Sequence, residues 1–162
     1  MSNSEIKNIL LKKIKEKTAI VAVIGLGYVG LPLAVEKAKA GYRTIGFDIQ
    51  EKRVKMVNEG HNYIGDVVDE ELADLVKKGL LSATTDFSIV KDADFIAICV
   101  PTPLDDYQQP DISYVKQSAI DISKYLKRGS IVVLESTTYP GTTEELLLPI
   151  LEKGSGLKCG KD

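Results

Sequence analysis

Six apolar residues, Ala19-Ile-Val-Ala-Val-Ile24, run without a break into Gly25-x-Gly27-x-x-Gly30, and helix-type sequence follows. A short run of small and β-branched residues reads as a strand buried on both faces. The first glycine permits a tight turn off that strand, and the second lets the backbone approach a ligand. The third lets the next helix pack closely on the strand. That helix's N-terminus carries unpaired N–H groups, which suit a phosphate. Strand, glycine turn and helix in this order define a βαβ unit that holds a dinucleotide at its pyrophosphate. Gly25, Leu26, Gly27, Tyr28, Val29 and Gly30 form the phosphate turn in this reading. A second strand is expected at 43–47 and ends in Asp48, 18 residues beyond Gly30. That spacing is close to the ~20 at which a carboxylate reaches the adenosine ribose.

Asp48 favours NAD over NADP, because a carboxylate accepts both ribose hydroxyls and repels a 2′-phosphate. Ile49 follows at the same strand end. Arg53 leaves three outcomes open: a guanidinium could take such a phosphate, lie over an adenine, or pair with Asp48.

Bulk properties exclude several other classes. A chain of 162 residues suffices for one domain with its own core. The hydrophobic share of 44% and charged share of 27% are ordinary for a globular domain. A net charge of −2, without a basic stretch interleaved with aromatics, argues against a nucleic-acid partner. The longest apolar runs, six to seven residues, fall far short of the ~20 that a membrane span needs. The N-terminus mixes Lys with Ile, unlike a secretory signal. Two cysteines, Cys99 and Cys159, make no disulfide framework, which fits a reducing cytoplasm. No His, Cys or carboxylate cluster has metal-ligand spacing.

Residues 2–17 read as an amphipathic helix that Ser2 or Ser4 can cap, with Ile6, Ile9, Leu10 and Ile14 on one face. Its Lys12, Lys13, Lys15 and Lys17 admit a membrane surface or an acidic partner. The simpler reading is a solvated face, with the apolar stripe docked on the domain. Strands are expected at 19–24, 43–47, 80–84, 94–100 and 130–134. Helices are expected from the glycine turn to Ala40, at 50–59, 69–78 and 112–127, and from Thr142 to Leu151, with a helical turn at 87–91. This alternation predicts an α/β fold: a Rossmann-like, doubly wound parallel sheet with helices on both faces, preceded by the amphipathic helix. The expected division is a helix at 1–18, a nucleotide-binding domain at 19–153 and a tail at 154–162.

Ligands of such sheets sit at the carboxyl ends of the strands. Beyond the glycine turn and Asp48, those ends carry Val100-Pro101-Thr102 and Glu135-Ser136-Thr137. Pro101 and Pro103 hold Thr102 extended. Its hydroxyl could meet a cofactor's nicotinamide end or a water, or bond its own backbone, and residue chemistry leaves these even. Glu135 to Thr138 suit a polar ligand in the same way, while Thr142 or Thr143 can cap the next helix. Cys99 reads as core packing, Cys159 as an exposed tail residue and His61 as a solvated loop residue.

Four blocks together resemble the UDP-sugar 6-dehydrogenase family: Gly25-Leu-Gly-Tyr-Val-Gly-Leu-Pro32, Asp48 with Arg53, Cys99-Val-Pro-Thr-Pro103, and Glu135-Ser-Thr-Thr-Tyr-Pro-Gly-Thr-Thr-Glu144. The resemblance covers about residues 19–150. The segment Pro103-Leu-Asp-Asp-Tyr-Gln-Gln-Pro-Asp111 is most similar to the bacterial branch that oxidises UDP-N-acetylhexosamines for surface polysaccharide. The resemblance implies oxidation of the sugar C6 to a carboxylate in two NAD-dependent steps, through a thiohemiacetal and a thioester on a cysteine. It places Gly25 to Gly30, Asp48 and Arg53 at the pyrophosphate and adenosine, and Thr102 near the nicotinamide and a catalytic water. Glu135 to Thr138 would line the same edge.

The family's catalytic glutamate, lysine and cysteine, its central helix and its UDP-binding domain have no counterpart in these 162 residues. Neither Cys99 nor Cys159 matches the nucleophile's context. The expectation is a cofactor-binding part that holds NAD without completing the oxidation, with the UDP-sugar and the homo-oligomer belonging to the full-length enzyme. Two other readings stay open: the cofactor domain of another hydroxyacid or sugar-acid dehydrogenase, and a non-enzymatic NAD-binding module that docks through its Ile-rich first helix.

Overall fold

The central apolar runs, at 20–24 and 95–98, become strands that are covered on both faces. The computed structural model describes residues 2–104 and 108–162; residues 105–107, inside the 103–111 segment, lie outside the described residues. Five strands, β1 (Ile20–Ile24), β2 (Arg43–Phe47), β3 (Leu81–Thr84), β4 (Phe95–Ile98) and β5 (Ile131–Leu134), form one parallel sheet in the order β3-β2-β1-β4-β5. The helices are α1 (Asn3–Lys15), α2 (Gly30–Lys39), α3 (Glu51–Asn58), α4 (Asp69–Lys77), α5 (Ser113–Ser123) and α6 (Leu148–Ser155). A 3₁₀ turn covers Phe87–Asp92. The expected α/β fold is therefore observed, with β1 at the centre and the chain reversing its winding direction between β1 and β4.

Alternation along β1 shows how both faces are filled. Val21 and Val23 join Leu31, Ala34, Val35 and Ala38 of α2, with Leu72 and Leu75 of α4, in one core layer. Ala22 and Ile24 face the other way and meet Ile96 and Ile98 of β4, Ala119 and Ile122 of α5, and Leu151 of α6. The two sheet edges differ. At β3 the Asn58 side chain donates to the Ala83 carbonyl (2.9 Å) and accepts from the Ala83 N–H (2.7 Å), so a side-chain amide occupies part of the open ladder. At β5 Ile131 is 42% exposed.

Three expectations change in detail. The strand read as 94–100 pairs only over Phe95–Ile98, because the chain must leave the sheet where Cys99 passes Gly25. The helix read from Thr142 opens as a π-type turn over Thr143–Leu147. Pro149 supplies the reason: it has no N–H for the carbonyl four residues back, and its ring crowds that carbonyl. Neither expected cap forms there, since the Thr142 hydroxyl donates to the Tyr139 carbonyl (2.7 Å) and no side chain caps the turn.

At the other end of the molecule, Ser2 caps α1 in a reciprocal pair with Glu5. The expected docking of the α1 stripe is incomplete: no α1 residue is buried, and Ile9, Leu11 and Ile14 are 46, 44 and 39% exposed. Polar contacts also hold the helix. Buried Asp94, at the start of β4, accepts from Lys13 of α1 (2.8 Å), from Lys127 (3.0 Å) and from the Ile20 N–H (3.0 Å). Burial pushes the Asp94 carboxyl up, but these three donors outweigh it and hold the group below the usual carboxylate value. A depressed folded value contributes stability above about pH 4 that is lost as pH falls through it. Asp94→Asn is accordingly expected to cost about 1–3 kcal/mol at pH 7 and to flatten the acid limb of the stability curve. Denaturant melts at pH 7 and pH 3 measure both effects, and an unchanged acid limb would refute the assignment.

Candidate functional site

The carboxyl ends of β1, β2 and β4 open on one groove of about 240 Å³. Of the residues expected at a cofactor, Gly25, Gly27, Asp48, Ile49, Arg53, Val100 and Pro101 line it. Gly25 has φ +90°, a backbone conformation that side chains rarely adopt, and a Cβ there would stand 2.8 Å from the Cys99 carbonyl oxygen. Gly30, the first residue of α2, is packed so closely that a Cβ would overlap the Gly25 carbonyl oxygen. Gly27 differs from both, with open space where a Cβ would stand. No side chain caps α2 at Val29; in its first turn the Leu31 N–H donates to the Gly27 carbonyl (3.1 Å), the Leu33 N–H donates to the Val29 carbonyl (3.1 Å), and Pro32 has no N–H. An open backbone cradle ahead of an uncapped helix fits the pyrophosphate of a dinucleotide.

Asp48 is 5% exposed and tightly held. Oδ2 accepts from the Leu26 N–H (2.9 Å) and Arg53 (3.3 Å), and Oδ1 accepts from the Gln50 N–H (2.9 Å). The carboxylate therefore joins the glycine turn to the end of β2. Of the three outcomes open to Arg53, the structure shows the ion pair with Asp48, the guanidinium lying 5.8 Å from the Tyr63 ring centroid.

The other expected residues are placed differently. Leu26 is fully buried, its side chain lying against Gly46 where any Cβ on β2 would collide with it. Only the Leu26 backbone serves the site. Tyr28 and Val29 project outward, 80 and 58% exposed. Thr102 is half-buried and does not line the groove. Glu135, Ser136 and Thr137 also stay out of it. The Ser136 hydroxyl donates to the Val100 carbonyl (2.7 Å), which ties the end of β5 to the exit of β4. His61 is exposed, as expected.

Sequence reasoning missed the wall opposite Asp48. Tyr114, Gln117, Ser118 and Asp121 of α5 line the groove, together with Phe87, whose ring packs on Phe47 at 5.6 Å. Their spacing of i, i+3, i+4 and i+7 marks one helix face, set against the buried face of Val115, Ala119 and Ile122. A larger groove, about 370 Å³, lies between β5 and α6 and includes Val132, Leu147, Leu151 and Cys159. It has neither a glycine turn nor a buried carboxylate, so volume alone does not mark the site.

Cys99 lies behind the glycine turn. Burial, and then the Glu135 carboxylate, push its thiol up to about 12. Cys159 is exposed. Native protein at pH 8 is therefore expected to yield one thiol to a chromogenic disulfide, with the second reacting only after unfolding. Two fast thiols would contradict the packing described. Among the described residues no group of His, Cys, Asp and Glu could hold a metal ion, and no helix is long and apolar enough to cross a membrane.

Comparison with known proteins agrees with this geometry. Residues 19–162 match the model of the UDP-glucose/GDP-mannose dehydrogenase family, NAD binding domain. The chain is 43% identical to Protein CapL of Staphylococcus aureus over 142 residues, 88% of this chain and 32% of that protein. It is 43% identical over 143 residues to UDP-N-acetyl-D-glucosamine 6-dehydrogenase of Pseudomonas aeruginosa, again 88% of this chain and 33% of the relative. The solved NDP-N-acetyl-D-galactosaminuronic acid dehydrogenase of Methanosarcina mazei superposes with a TM-score of 0.84 at 36% identity, covering 94% of this chain and 35% of that one. The chain thus spans about a third of the length of the curated relatives it matches. A glycine turn that opens on an uncapped helix, a buried acid at the next strand end and a match across residues 19–162 lead to one assignment: this chain belongs to the UDP-glucose/GDP-mannose dehydrogenase family and carries its NAD-binding domain.

Proposed function

We propose that this domain serves a nucleotide-sugar 6-dehydrogenase that oxidises C6 of a UDP-N-acetylhexosamine to the uronate in two NAD-dependent steps, as a cytoplasmic homo-oligomer in surface-polysaccharide synthesis. The observation that carries the reading is the Asp48–Leu26 hydrogen bond, which sets a ribose-reading carboxylate beside a phosphate cradle. Relatives whose names specify N-acetylhexosamine substrates support the sugar class. Residues 19–153 carry the cofactor function, 1–18 form an added helix, and 154–162 form a tail.

In this reading the backbone of Gly25 to Gly30 and the start of α2 hold the pyrophosphate. Asp48, Ile49 and Arg53 take the adenosine ribose, while Val100, Pro101, Thr102 and Glu135 to Thr137 border the nicotinamide end. NAD, when bound, supplies the hydride acceptor. The chain's own residues orient it: Ser136 fixes the β4 exit, and Asp48 fixes the turn. Neither cysteine can act as nucleophile at the groove, because the Cys99 thiol is buried and Cys159 lies in the groove between β5 and α6.

The exposed Ile9, Leu11 and Ile14 favour, as a second reading, a stand-alone module that docks through α1. A chimera separates the two. Residues 19–162 replacing the matching third of the Pseudomonas aeruginosa relative are expected to support NAD reduction with UDP-N-acetyl-D-glucosamine, whereas the 162-residue chain alone gives no NADH. A folded chimera that binds NADH yet reduces no NAD would reject the enzyme reading.

A further inference from the structure

Tyr63 lies in the loop between α3 and α4, and local structure fixes it there. Gly60 ends α3 with φ +73° and lets Ala73 of α4 come within contact of its backbone. The Asn62 side chain then binds the loop to itself: its amide donates to the Val67 carbonyl (2.5 Å), and its oxygen accepts from the Ile64 N–H. Ile64 and Val67 are buried, which clamps the loop just after Tyr63. From this position the Tyr63 hydroxyl donates to the Leu26 carbonyl in the glycine turn (2.7 Å), and its ring lies beneath the Arg53 guanidinium. Burial, and then the Asp48 charge, push the phenol up to about 12, so it remains an O–H donor throughout the neutral range.

The sequence places two groups with opposite preferences at the end of β2. Asp48 selects ribose hydroxyls, whereas a free arginine there would accept a 2′-phosphate. What decides between them is where Arg53 rests. We propose that Tyr63 is a positioning residue for cofactor choice: its ring holds Arg53 against Asp48, and its hydroxyl fixes the Leu26 carbonyl, so that the pocket reads ribose hydroxyls and not a phosphate. The inference rests on the NAD-binding reading of the groove. Arg53 on Tyr63 and Asp48 is committed to two partners within the protein. Without the ring it gains freedom to pair with a 2′-phosphate, and NADPH gains relative to NADH.

The test is titration of NADH and NADPH, followed by their fluorescence, on wild type, Tyr63→Leu, Tyr63→Phe, Arg53→Ala and the Tyr63→Leu/Arg53→Ala double variant. Leucine keeps apolar bulk in the loop, and thermal melts confirm that each variant is folded. Tyr63→Leu is expected to lower the NADH-over-NADPH preference about threefold to fivefold, the scale of a partly exposed cation–ring contact. Tyr63→Phe keeps the ring and the preference, while both cofactors weaken together by about twofold to tenfold from the lost hydrogen bond. In the Arg53→Ala background, Tyr63→Leu is expected to leave the preference unchanged. Equal weakening of both cofactors by Tyr63→Leu, or the same shift without Arg53, would overturn the proposal while leaving NAD binding intact. Wild type that binds neither cofactor would overturn the underlying reading as well.

Discussion

Gly30→Ala is expected to destabilise the fold by at least about 3 kcal/mol, a size reserved for substitutions with a definite steric cause. The added methyl would overlap the Gly25 carbonyl oxygen and press the Cys99 Cβ at 3.2 Å. Neither neighbour can yield cheaply. The Gly25 N–H donates to the Phe47 carbonyl (2.7 Å), and the Cys99 N–H donates to the Ile24 carbonyl (2.8 Å), so both are locked into the sheet ends. Gly27→Ala provides the contrast three residues earlier. Its methyl meets open space, so stability should stay within about 0.5–1 kcal/mol of wild type. The same methyl projects into the phosphate cradle and should weaken NADH binding about tenfold or more. Urea melts and NADH titration of the pair separate packing from ligand approach. Equal loss of stability in both variants would contradict the division of labour between the two glycines.

The second large effect belongs to Asp48. Its carboxylate satisfies the buried Leu26 N–H and the Gln50 N–H, so Asp48→Ala leaves two donors without their acceptor and Arg53 without its partner. A destabilisation of about 2–3 kcal/mol is expected. The loss of two charge-assisted bonds to a ribose corresponds to roughly 100-fold weaker NADH binding. Asp48→Asn keeps the shape and removes the charge. It should retain most of the stability while losing much of the preference against NADPH. Asp48→Asn binding NADH as tightly as wild type and rejecting NADPH as strongly would show that the carboxylate is a structural strut alone.

Much of this was legible in the sequence because the signals are local. The glycine spacing, the two-sided apolar run at 19–24 and the acid closing the next strand need no tertiary information, and each lies where the pattern places it. Strand lengths were overestimated at β4, since an apolar run says what is buried and not where pairing stops. Cys99 and Val100 continue the pattern after the ladder has ended. The α5 wall was missed for a different reason. Tyr114, Gln117, Ser118 and Asp121 show a helix face, but only the reversal of strand order between β1 and β4 brings that face over the groove. Tyr63 carried no local signal either, because its partners are 10 and 37 residues away in sequence, at Arg53 and Leu26. Ser136 suits a ligand by its chemistry, but its hydroxyl is spent on the exit of β4. A hydroxyl at a strand end is equally suited to either task, and only the neighbouring carbonyl decides.

That the groove between the glycine turn and Asp48 holds NAD is the point on which the proposed function stands. Titrating the 162-residue chain into NADH and following nicotinamide fluorescence tests it most directly. Saturable enhancement with a dissociation constant below about 1 mM, weaker for NADPH, weakened about tenfold or more by Gly27→Ala and roughly 100-fold by Asp48→Ala, is the predicted result. A folded chain that gives no saturable change, or one whose affinity neither substitution alters, would contradict it.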